Sequence, residues 1–89
     1  MSRATHEGVV VTLFGREGCH LCDQAREALL RMRRDGLDFA LEEVDIEGDP
    51  ELHRRLLERI PVIEVGGEPV CELFIDEDAV RARLDTLSE

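Results

Sequence analysis

The sequence predicts a single α/β domain whose elements run β-α-β-α-β-β-α, a four-stranded mixed sheet flanked by helices. Three observations carry this. Short β-branched runs alternate with segments of helical period, the arrangement that crossover connections produce. Two β-rich runs near the end are separated only by Gly66-Gly67, the mark of a tight hairpin. Leu, Ile, Val and Phe supply 27 of 89 residues, enough for one compact core and too many for a disordered chain. The two early crossovers imply parallel pairing and the final hairpin antiparallel pairing.

The elements follow in order. Residues 1–8 are polar and expected to be frayed, so the single domain of residues 1–89 has its core beyond them. Val9–Phe14 is an apolar run bounded by Gly15 that suits a strand buried on both faces. From His20 to Arg34, Leu21, Cys22, Ala25, Ala28, Leu29 and Met32 recur at helical spacing. Asp23 and Glu27 lie in the first half and Arg31, Arg33 and Arg34 at the end, matching the helix dipole, and Asp35-Gly36 stops the helix. Leu37–Ile46 reads as the second strand. Phe39 and Leu41 alternate and Val44 and Ile46 alternate one step out of phase, which predicts a bulge or a register change. Asp49-Pro50 supplies a cap and a proline at the first helical position, opening a helix with Leu52, Leu56 and Leu57 that must end before Ile60-Pro61. Val62–Val65 and Glu68–Cys71 form the hairpin, and Pro69 assigns the fourth strand to the sheet edge. Asp76 caps a last helix with an inner stripe of Val80, Leu84 and Leu87.

Charge narrows the partners. Twenty-one acidic residues against eleven basic ones, all arginine, give a formal net charge of −10. Such a surface repels nucleic-acid backbones and anionic lipid, so neither is an expected partner. No apolar stretch approaches a membrane span or a signal peptide, so the expected compartment is the cytoplasm, where thiols stay reduced. Three cysteines do not make a disulfide framework; in that compartment the Cys19-x-x-Cys22 spacing points to redox chemistry or a metal site.

Cys19-His20-Leu21-Cys22 falls at the junction of the first strand and first helix. One turn of helix separates the two cysteines, which puts their Cα atoms about 5–6 Å apart, within disulfide reach. Cys19 at the helix start faces unpaired N–H groups and the positive dipole end, which favour its thiolate. Arg16 and a protonated His20 would add to this. Cys22, one turn inside, is expected to be more buried and to keep its proton. A nucleophile and a resolving thiol need that asymmetry.

The strand–CxxC–helix start, Ile60-Pro61 opening the third strand about 40 residues on, and the element order resemble the thioredoxin-like fold. The closer resemblance is to its glutaredoxin-like branch, in which Cys-His-Leu-Cys is a familiar active-site variant, and it covers residues 9–87. It implies a thiol–disulfide oxidoreductase in which Cys19 attacks and Cys22 resolves a mixed disulfide. It also implies a cis Pro61 against the cysteines, with Ile60 and Pro61 forming a docking edge and Arg16 and His20 joining them in substrate docking. Arg16 matches the basic residue that glutaredoxins carry three positions before the first cysteine. Two departures qualify the match. Leu13 stands where thioredoxins carry a buried acid, which disfavours a thioredoxin proper. Cys71–Asp76 lacks the Gly-Gly that accepts glutathione, which implies weak glutathione binding.

No resident cofactor or metal is expected. The expected partners are disulfide-bearing proteins or small molecules, with glutathione or a thioredoxin-type reductase as electron source, and a monomer. The alternative is a non-catalytic module of the same fold that holds zinc or an iron–sulfur cluster across a dimer through Cys19 and Cys22, with or without Cys71. Other residues have plainer readings: Cys71 as a small strand hydrophobe, His6 and His53 as surface residues, and Arg54, Arg55 and Arg59 as helical partners of Glu51 and Glu58. Glu64, inside the third strand, needs an arginine partner or a path to solvent.

Overall fold

The computed structural model describes residues 9–87. The segment expected to be frayed, residues 1–8 with His6, lies outside them. The element order is β1 (Val10–Gly15), α1 (His20–Arg34), β2 (Ala40–Asp45), a 3-10 turn (Ile46–Gly48), α2 (Pro50–Leu56), β3 (Val62–Val65), β4 (Glu68–Glu72) and α3 (Glu77–Leu87). The four strands form one sheet in the order β2-β1-β3-β4. This is the mixed sheet with three helices of a thioredoxin-like fold.

The sheet corrects the sequence reading in two places. Only the first crossover is parallel: β1 pairs β2 in parallel but β3 antiparallel. The reason is length. The seven residues of α2 span roughly 10 Å, about half of a six-residue strand, so β3 enters the sheet at the end where β2 leaves it. Val62 therefore sits opposite Phe14, at the exit of β1. The second correction concerns the bulge. β1 and β2 keep an unbroken register from Val10–Ala40 to Gly15–Asp45. The phase change arises because Phe39 precedes the strand and Ile46 already belongs to the 3-10 turn. The irregularity lies instead in the β3–β4 pair, where Ile63 faces Cys71, Glu64 faces Pro69, and Val70 is the extra residue.

β4 is an edge strand, the place where Pro69 removes no needed ladder donor. Gly66 and Gly67 join β3 and β4 with φ of 62° and 87°, the left-handed pair that a two-residue hairpin requires.

Two clusters hold the fold. The larger packs Val11 and Leu13 of β1 and Ile63 and Val65 of β3 against Ala25, Leu29 and Met32 of α1 and Val80 and Leu84 of α3. The smaller contains Cys22, Ile46 and Ile60, with Phe14, Cys19, Leu52 and Leu56 packed on it. Phe14 reaches it from the opposite face of β1, so α2 covers only one end of that face. Val10 and Thr12 there are half-buried, short of the burial on both faces expected for this strand. Glu64, opposite Thr12, is half-buried for the same reason and has its path to solvent.

Helix ends follow their side chains. The Asp49 carboxylate accepts from the N–H groups of Glu51 (2.9 Å) and Leu52 (3.4 Å), with Pro50 at the first helical position. Asp76 accepts from the Ala79 N–H at 3.1 Å and caps α3. No helix among the described residues is long and apolar enough to cross a membrane.

Candidate active site

The C-terminal end of β1 delivers the chain through a turn into α1, and Cys19 is the cap of that helix. Its backbone is extended (φ −91°, ψ 108°) and its sulfur accepts the N–H of Cys22 at 3.1 Å. A sulfur therefore occupies the place usually taken by a Ser or Asp oxygen, with an otherwise unpaired helix-start N–H pointed at it. Cys19 and Cys22 form a disulfide with their Cα atoms 5.2 Å apart. Cys22 is 2% exposed and Cys19 half-buried, the asymmetry expected from their positions on the helix.

The support beneath Cys22 comes from a residue that the sequence reading did not single out. A Cβ on Gly15 would lie 2.9 Å from the Cys22 sulfur and 3.0 Å from its Cβ. The last residue of β1 thus has to be glycine for α1 to seat so closely. The sequence signal was present, a glycine ending the strand four residues before the first cysteine, but it reads equally as a strand stop.

Ile60 meets the cysteines in the smaller cluster, and Pro61 follows it in the chain. The bond between them is cis. Ile60 packs in the cluster with Cys22, and its N–H donates to the Leu56 carbonyl at 3.1 Å. Pro61 is fully buried and its carbonyl accepts the Leu73 N–H at 2.9 Å. Leu73 belongs to the Cys71–Asp76 stretch that lacks the Gly-Gly, but its backbone geometry was not anticipated. Its φ is 75°, in the left-handed region, and nothing in the sequence signals that a leucine adopts it.

The remaining site residues are nearby but differently engaged. The Arg16 carbonyl accepts the Cys19 N–H at 3.3 Å, while its guanidinium lies 3.4 Å from Glu47. His20 is exposed at the first helical position. Leu21 is 46% exposed, although its spacing placed it in the buried stripe; position 21 turns outward beside the disulfide. Leu13 lines a small cleft with Gly15 and Cys22, so β1 brings an apolar wall, not a carboxylate, to Cys22. The charged edge of that cleft is Arg26, which bridges α1 to β2 through Glu43 (2.8 Å) and also holds Asp23 (3.1 Å). Those two hydrogen bonds raise the Arg26 pKa above its ordinary value.

The third cysteine belongs elsewhere. Cys71 packs against the larger core, and its thiol pKa is pushed up, chiefly by burial. Among the described residues no group of three or more His, Cys, Asp or Glu side chains is placed to hold a metal.

The family comparison decides the relationship: residues 10–85 match the model of the Glutaredoxin-like domain (DUF836). The chain belongs to the glutaredoxin-like domain family. Proteins of known structure are similar to the chain over most of its length. A Nitrosomonas europaea protein solved by NMR is 34% identical, with a TM-score of 0.71, over 84% of this chain and 89% of that one. An X. campestris protein solved by X-ray crystallography is 36% identical, with a TM-score of 0.68, over 85% of this chain and 96% of that one. A mutant thioredoxin from Halobacterium salinarum, 23% identical over 97% of this chain and 80% of its own, has a TM-score of 0.65 and establishes the shared fold. No curated protein matches the chain in sequence. A glutaredoxin-like, thioredoxin-fold domain with a CxxC pair is a redox-type module.

Proposed function

We propose that this glutaredoxin-like domain is a dithiol–disulfide oxidoreductase working in a thiol-reducing compartment such as the cytoplasm, with Cys19 as nucleophile and Cys22 as resolving thiol. The observation that carries the reading is the asymmetric pair itself: a half-buried sulfur at the cap of α1 with an N–H aimed at it, bonded to a buried sulfur one turn inside. In the reduced protein the same N–H favours a thiolate on Cys19. That thiolate attacks one sulfur of a substrate disulfide, forms a mixed disulfide and expels the first substrate thiolate, which takes a proton from solvent. Cys22 then loses its proton and attacks the Cys19 sulfur, releasing the second substrate thiol. The substrate gains two electrons and two protons, and Cys19–Cys22 becomes a disulfide that an external thiol reductant must reopen. No metal or organic cofactor takes part in these steps.

Glutathione is a poor fit as that reductant. The stretch after β4 presents Leu73 and Phe74 side chains where a Gly-Gly backbone would accept the tripeptide, and the Arg16 guanidinium already faces Glu47. A reductase-fed carrier is the better candidate. Incubating the reduced Cys22→Ser variant with a synthetic disulfide peptide tests the reading: a stable adduct on Cys19 is expected. A variant that accumulates no adduct, while the peptide stays intact, contradicts it.

A further inference from the structure

We infer that the surface beside the disulfide selects polypeptide disulfides flanked by a bulky apolar residue and by carboxylates, with Leu73 and Phe74 receiving the first and Arg55 and Arg59 the second. The inference rests on the redox reading above and names its substrate class.

The apolar half is an uneven distribution of exposed side chains. Leu21, Leu57, Leu73 and Phe74 are large, apolar and 38–64% exposed, and all four lie on segments meeting at the exit of β1; Leu30 is farther along α1. Leu73 is the informative one. Its N–H donates to both the Arg59 carbonyl (3.0 Å) and the Pro61 carbonyl (2.9 Å), which pins this turn against the cis bond. A left-handed φ is unfavourable for a leucine, and at 46% exposure little burial offsets it. Glycine would take the same backbone without that cost. A strained, exposed leucine followed by a phenylalanine that is 64% exposed, on the turn pinned to the Ile60–Pro61 segment, suits contact with a partner's side chain.

The second half is charge. Arg54, Arg55, Leu57, Glu58 and Arg59 line one shallow groove at the end of α2, the helix whose Leu52 and Leu56 pack on the cysteine cluster. Arg54 pairs with Glu51 at 2.6 Å, and Arg59 reaches Glu72 only at 4.0 Å. Arg55 makes no ion pair among the described residues. The lining of the groove carries three arginines against Glu58, with Glu51 and Glu72 at its rim, so it is less acidic than the rest of a molecule whose net charge is −10. At physiological ionic strength the Debye length is about 8 Å, so a segment seated here responds to these arginines more than to the distant acids. The redox reading brings a polypeptide disulfide to this face, and the anionic side chains of a polypeptide are carboxylates, which makes a carboxylate-bearing polypeptide the occupant.

The test uses the reduced, full-length protein and three synthetic peptides with one internal disulfide flanked by Leu-Asp-Glu, Leu-Ser-Gln or Leu-Lys-Arg. Single-turnover reduction of the neutral peptide probes the redox reading by itself; no reduction of any peptide ends both that reading and this one. Where the neutral peptide is reduced, the acidic peptide is expected to react roughly 5-fold faster than the basic one, about the ratio that two exposed ion pairs supply. Arg55→Glu with Arg59→Glu is expected to invert the ratio, and Phe74→Ser to slow the acidic and basic peptides alike. Equal rates on acidic and basic peptides in the wild-type protein overturn the charge selection whether or not the variants fold. Rates unchanged in Phe74→Ser overturn the apolar half. Sedimentation of the protein with anionic phospholipid vesicles at physiological salt would assign the patch to a membrane and overturn the inference.

Discussion

A methyl group at position 15 would sit 2.9 Å from the Cys22 sulfur, closer than such contacts allow, and the obstacle is the buried cysteine at the root of α1. Gly15→Ala is therefore expected to lower stability by about 1–3 kcal/mol, the usual cost of overpacking, read as a lower denaturant midpoint. A midpoint equal to wild type would show that α1 shifts freely. Position 73 works in the opposite sense. Leu73→Gly removes the left-handed penalty and is expected to raise stability by about 1 kcal/mol while weakening peptide binding, two effects that a melt and a single-turnover assay separate. The three thiols of the reduced protein are expected to alkylate in the order Cys19, then Cys71 and Cys22, tracked by mass. Cys22 is slow because it is buried. For Cys71 the sign follows from burial: desolvation disfavours the thiolate, so its pKa rises, and its reaction sets in at higher pH than that of a free thiol. These residue-scale features were unevenly legible. The CxxC pair, its asymmetry and the cis proline could be read from spacing and resemblance. Gly15 and Leu73 could not, because one depends on how close two elements pack and the other on a backbone angle that leucine rarely adopts.

At the scale of elements, α2 links fold to site. Its start depends on Asp49, whose carboxylate holds two N–H groups, and its inner leucines pack on the cysteine cluster. Asp49→Ala is expected to cost about 1 kcal/mol, as lost caps do, and to slow peptide reduction because Ile60 loses backing. Stability falling with no change in rate would separate α2 from the site. The bounds of α1, both caps, the hairpin and the edge position of β4 were readable because each has a local chemical cause: apolar period, carboxylate, Gly-Gly, Pro. The direction of β3 and the site of the bulge were not. They depend on how far a short helix carries the chain and on how two strands settle against one core, and neither leaves a mark on a single segment. Leu21 shows the same limit, since its spacing fits the buried stripe but the sheet ends before reaching it.

For the whole molecule, ten excess negative charges in a chain of 89 residues repel one another in the folded state more than in the expanded one. Raising salt from low to physiological strength is therefore expected to raise the melting temperature, and a fall would show that the exposed ion pairs outweigh the repulsion. In the proposed function, Cys19 and Cys22 form one reversible two-electron couple, distinct from Cys71. Equilibrating the protein across a series of thiol–disulfide buffers, quenching with an alkylating reagent and mapping each cysteine by mass measures this directly. Cys19 and Cys22 are expected to lose their two hydrogens together in a single two-electron transition while Cys71 stays a thiol. Independent titration of the two cysteines, or thiols that persist through the most oxidising buffer, would contradict it.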